Sequence, residues 1–136
     1  MPHPRDVLIF VARVVNDKPI NNQDTDMSAD AQIALSAALD RMWLQYLPQM
    51  RERVAVLETA AQDFAENHLS IEQHEAASAA AHKLAGVCGT FGLTRGTVLA
   101  RELEIMYSRQ NGPDKELAAT LASTTAELRT LIESRK

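Results

Sequence analysis

The sequence predicts an all-α protein, an antiparallel up-and-down four-helix bundle preceded by an additional N-terminal segment. Alanine and leucine dominate a chain that is 46% apolar yet only 4% aromatic, a mixture that suits packed helices better than sheets. From Ser28 onward apolar residues recur at three- and four-residue steps, the period of a helix with one face in a core. The interruptions are short and polar, so successive helices must turn back on one another. At 136 residues the chain fits a domain that buries a core without staples. The expected division is an apolar segment and polar connector over 1–27, then the bundle over 28–136.

Residues 1–6 carry Pro2 and Pro4 and are expected to be irregular. The run Val7 to Val15, VLIFVARVV, is either a short helix opened by Asp6 or an extended segment, since it has no clean period and Val and Ile favour strands. It is too short to span a bilayer and Arg13 interrupts it. So much apolar surface needs cover from the bundle, a neighbouring domain or a second copy, which leaves a monomer or a weak dimer through residues 7–15. Asn16 to Met27 is a turn-rich connector.

The first helical pattern has Ser28 or Asp30 as its cap. Leu35, Leu39, Met42, Trp43, Tyr46, Met50, Val54, Leu57, Ala61 and Phe64 then keep one phase. Pro48 removes a backbone donor, so a break or kink is expected near Leu47, with Pro48 opening a second piece that faces the same core. Trp43 and Tyr46 read as packing residues. After a turn at Glu66 to Leu69, Ser70 and Gln73 form a capping-box start and Gly92 a left-handed stop. Between them Ala77, Ala80, Leu84, Val87 and Phe91 share one apolar stripe. Thr94 is expected to cap a third helix reaching about Gln110, with Val98, Leu99, Leu103 and Met106 inward and Arg101, Glu104 and Arg109 more exposed. Asn111, Gly112 and Pro113 end it. Asp114 caps a last helix carrying Leu117, Leu121, Leu128, Leu131 and Ile132.

His82 lies opposite the stripe of its helix. Its neighbours one turn away are Ser78, Ala79, Ala85 and Gly86, with Gly89 two turns on, so nothing bulky shades the ring. Two glycines inside a helix cost roughly 1 kcal/mol each relative to alanine, and neither faces the stripe, so the cleared surface needs a reason. A neutral imidazole has a nucleophilic nitrogen at physiological pH and can attack a good phosphoryl donor unaided. An open helix face would let another protein's active site close over it, and acid would stop the reaction by protonating the attacking lone pair.

These residues resemble a known family. His82, Leu84, Gly86 and Gly92 fit the H-x-L-x-G-x5-G pattern of histidine-containing phosphotransfer (HPt) domains. The likeness extends from about Ala31 to Ile132 and is strongest between Ala80 and Glu104. It implies a four-helix bundle whose exposed histidine, His82, accepts a phosphoryl group on Nε2 from a receiver domain's aspartyl phosphate and passes it to another receiver. It also implies response-regulator receivers, and a hybrid sensor histidine kinase, as partners. Ser78, Ala79, Lys83, Gly86 and Gly89 would line the docking patch. Many members carry lysine three residues after the histidine, where this chain has Ala85. Here Lys83 follows the histidine directly, and its stem could bend back toward the phosphate.

Other chemistries find little support. The formal charge is −4 with both signs mixed along the chain, which offers no basic field for nucleic acid or an anionic membrane. Cys88 is the only cysteine. An intrachain disulfide is therefore excluded, a reducing cytoplasm is the expected compartment, and Cys88 reads as a small packed residue. His68 and His74 read as solvated, and His3 lies in a tail. No H-E-x-x-H or other ligand spacing suggests a metal, and Gly86, Gly89 and Gly92 lack the Gly-Lys-Ser/Thr of a phosphate loop. No nucleotide-binding motif occurs, so the chain is expected to be a phosphotransfer intermediate without its own cofactor, Mg2+ coming from the partner receiver. The competing reading is a helical adaptor that docks receivers on the same face and accepts no phosphate.

Overall fold

The computed structural model describes residues 25–109 and 112–135. The expectations for the tail, for Val7 to Val15 with its dimer contact, for most of the connector and for Gln110 and Asn111 fall outside them. The fold is all-α, with α1 over Thr25–Ala65, α2 over Ile71–Thr90, α3 over Thr94–Ser108 and α4 over Lys115–Ser134.

Helix α1 begins at Thr25, so Ser28 and Asp30 lie inside it rather than at its cap. It also runs through Pro48 without a break, and Pro48 does not open a second helix. A proline inside a helix removes one hydrogen bond and crowds the turn before it. Met50, Val54 and Leu57, which follow it on the helix, are buried, and burial of that size offsets such a cost. The chain divides into two compact units between Tyr46 and Leu47. In the first, Trp43 and Tyr46 are buried, as expected of packing residues, whereas Ile33 and Leu44 are exposed.

The second unit, from Leu47 onward, holds the bundle. The later part of α1 runs antiparallel to α4: Arg51 donates twice to Glu133 at 2.8 Å, and Arg129 twice to Glu58 at 2.7 Å. Helices α2 and α3 are antiparallel as well. Thr97 donates its hydroxyl to the Ala85 carbonyl, and Ser78 donates to the Glu104 carbonyl. Met50, Val54 and Leu57 of α1, Leu84 and Val87 of α2, Leu99 and Leu103 of α3, and Leu121, Leu128 and Ile132 of α4 are buried at the centre.

Both ends of α2 are built as the sequence indicates. The Ser70 hydroxyl accepts from the Gln73 N–H while the Gln73 side chain accepts from the Ser70 N–H. At the other end Gly92 adopts φ 73°, the Gly92 N–H donates to Gly89 and the Leu93 N–H to Cys88. This is a Schellman turn, and a side chain at Gly92 would be strained in it. Helix α3 departs more from expectation. Its N-cap is Leu93, with no side-chain cap, and Thr94 is its first residue. It stops at Ser108. Val98 is 41% exposed instead of inward, while Gly96, Ala100 and Tyr107 are buried. The cause is a close approach at Gly96, where a Cβ would sit 2.9 Å from the Cys88 sulfur. Resting the helix on that glycine turns Val98 outward. In α4 the Asp114 carboxylate caps by accepting from the Glu116 and Leu117 N–H groups.

Candidate functional site

His82 stands on the outer side of α2 with 74% of its side chain exposed. Its Nδ1 lies 2.8 Å from Oε2 of Glu104 on α3. A glutamate carboxylate has no proton to give, so this bond requires the proton on Nδ1 and leaves the lone pair on Nε2. Glu104 is more exposed than the inward Leu99 and Leu103, as expected from its place on α3, but it has a partner that the sequence does not show. Its side chain is 32% exposed and turned toward the ring. Nothing in the periodicity of α3 reveals this, because the partners are 22 residues apart and meet only when the hairpin closes.

The small residues expected around the ring differ in exposure. Ala79, Gly86 and Gly89 are exposed, as is Lys83, while Ser78 is half-buried. A Cβ built on Gly86 meets nothing within 4 Å, and one on Gly89 meets only the Thr97 hydroxyl at 3.7 Å. Ser78, Ala79, His82 and Lys83 line a groove of about 500 Å³ between α2 and α3, together with His74, Glu75, Glu104, Tyr107 and Ser108. Gly86 and Gly89 lie outside that groove, farther along the same exposed face. Ala85 is buried: its position turns toward α3, where Thr97 donates to its carbonyl.

His74 corrects the expectation of a solvated residue. Only 8% exposed, it holds Nδ1 3.2 Å from the Tyr107 carbonyl and meets the Phe64 and Tyr107 rings edge-on at 6.4 and 6.2 Å. It sits about 80° round α2 from His82 on the side that packs against α3, and that rotation decides its burial. His68 is exposed, as expected. The Tyr107 hydroxyl is buried with no partner among the described residues, and burial pushes its ionisation well above the usual phenol range. Burial likewise pushes the Cys88 thiol up to about 11, which suits a packed and unreactive residue. Among the described residues no group of three His, Cys, Asp or Glu is placed to hold a metal, and no helix is long and apolar enough to cross a membrane.

Comparison with known families decides the relationship: the model of the Hpt domain matches residues 41–135. The chain belongs to the Hpt domain family. Both His82 and Glu104 fall within the matched region, as do α2, α3 and α4. The chain is also similar to Protein RcaC of Microchaete diplosiphon, at 31% identity over 102 residues, covering 75% of this chain but only 15% of that protein. No solved structure matches. Hpt domains take part in phosphotransfer in two-component relays and interact there with receiver domains.

Proposed function

We propose that this Hpt domain is a phosphorelay carrier in which His82 takes a phosphoryl group from the aspartyl phosphate of one receiver and passes it to another. The observation that carries this is the bond from His82 Nδ1 to Glu104, which leaves the Nε2 lone pair on an exposed ring. In the forward step that lone pair attacks phosphorus. An N–P bond forms, the P–O bond to the receiver's aspartate breaks, and its electron pair leaves with the carboxylate. The ring becomes a phosphoimidazolium, whose positive charge is balanced by Glu104 through the retained Nδ1 proton. When the aspartate of a second receiver attacks, the N–P bond breaks and its pair returns to Nε2.

Ser78, Ala79, Lys83, Gly86 and Gly89 form the patch on which the receiver closes. Mg2+ and the carboxylates that hold it are the receiver's, so this chain contributes the nucleophile and its orientation. A phosphorylated receiver is expected to label the protein with an acid-labile, alkali-stable group, and His82→Gln to abolish the label. Labelling retained in that variant would remove His82 from the mechanism. A second reading is favoured by the buried Ala85, at a position where many members of the family carry lysine: an adaptor that docks receivers on this face. It predicts binding of a receiver with no phosphate uptake.

A further inference from the structure

We infer that Arg101 of α3 binds the phosphoryl group carried on His82, facing Lys83 across the ring. This rests on the carrier function proposed above and concerns its charge balance. A phosphoryl group brings between one and two negative charges at neutral pH. The side chain bonded to His82 is itself a carboxylate, that of Glu104, so a cation has to approach from elsewhere. Ala85 supplies none, and its position is buried.

Most arginines of the bundle are committed. Arg51, Arg95 and Arg129 are bound to Glu133, Glu127 and Glu58, and Arg135 lies 5.3 Å over the Phe91 ring. Arg101 is exposed. Among the described residues no hydrogen bond or ion pair engages it, although Glu102 is adjacent and Glu104 stands one turn on. Its level in the hairpin follows from the contacts on either side. Thr97 meets Ala85 and Glu104 meets Ser78 and His82, so Arg101, between them on α3, is level with the stretch of α2 that bears His82. At about 100° per residue it stands some 60° round α3 from Glu104, on the solvent side, where a long side chain can reach across. Gly86, one turn beyond His82 on α2, adds no side chain there, and a Cβ built on it meets nothing within 4 Å. A guanidinium suits this role, because it stays charged and can give a phosphate two parallel hydrogen bonds.

The test uses the whole chain as wild type, Arg101→Gln and Arg101→Lys, with two donors: a phosphorylated receiver domain and phosphoramidate, which has no docking surface. Arg101→Gln is expected to slow histidine labelling by phosphoramidate about tenfold. It is also expected to move the 31P titration of the phosphohistidine to higher pH, because losing a cation disfavours the dianion. Arg101→Lys recovers part of both effects. Matching melting curves would show that the variants fold alike. If the wild type is labelled while Arg101→Gln keeps the wild-type rate with phosphoramidate and the wild-type titration, the inference falls, even if transfer from the receiver slows, since that result means docking alone. A wild type that takes phosphate from neither donor overturns the carrier function, and this inference with it.

Discussion

The groove between α2 and α3 has a histidine toward each end, and the two show what makes an imidazole available. Each has Nδ1 engaged by an oxygen of α3: the backbone carbonyl of Tyr107 for His74, the side-chain carboxylate of Glu104 for His82. Each bond orients its ring. The His74 ring, however, is closed in by Phe64 and Tyr107 and is 8% exposed, while the His82 side chain is 74% exposed. The acceptors differ too. A carbonyl offers a dipole, whereas a carboxylate offers a full charge that can balance a ring turning cationic. One arrangement buries an imidazole within the packing and the other leaves one exposed to solvent.

Exchange of the two rings breaks this comparison most directly. His82→Gln is expected to lose phosphate uptake entirely with no change in melting. His74→Ala is expected to keep uptake at a temperature where it is folded but to cost about 2 kcal/mol of stability, for a lost buried ring and hydrogen bond. Paired labelling and chemical denaturation check both. Glu104→Gln sharpens the role of the acceptor. An amide oxygen can still receive the Nδ1 proton, so orientation survives while charge is lost, and labelling is expected to slow by about tenfold. An unchanged rate would show that orientation suffices. Gly86→Gln tests clearance around the exposed ring. The site has room for the side chain, so only transfer from a receiver is expected to slow, by a few-fold, with the rate from phosphoramidate preserved.

The smallest effect is expected on the far side of the bundle, where charges hold helices together. Hydrogen bonds from Arg129 hold the Glu58 carboxyl below its ordinary value of 4.5, and those from Arg51 do the same for Glu133. A carboxyl whose folded pKa is lowered stabilises the fold above its unfolded value, and the contribution fades as pH falls through the lowered one. Melting of the wild type is therefore expected to drop faster below pH 4.5 than that of Arg129→Gln, with only a small difference at pH 7, since exposed pairs contribute little. Parallel melting curves across that range would show the pairs to be energetically silent.

Much of this was legible because it is local. The Ser70 capping box, the Gly92 turn, the α2 stripe and the collar of small residues round His82 each depend on neighbours within a turn or so, where sequence spacing translates directly into position. His74 and Val98 depart from expectation for one shared reason. Each is governed by how α3 lies on α2, and that is set by Gly96 resting on Cys88, a contact with no periodic signature. The break expected at Pro48 is absent for a different reason: the local rule against a helical proline is sound, but it yields where the residues that follow are held by burial.

The tight reversal at residues 91–93 has no slack in it. Phe91 N–H donates to Val87, Gly92 N–H to Gly89 and Leu93 N–H to Cys88, so the chain enters α3 with its rotation already dictated. One inserted residue would break this set of hydrogen bonds and change the rotation with which α3 starts, so the Glu104 carboxylate would lose its place beside the His82 imidazole in a molecule that still had four helices. The length of that reversal is thus as much an ingredient of the His82–Glu104 pair as the two side chains, and an insertion there could part them without altering either residue.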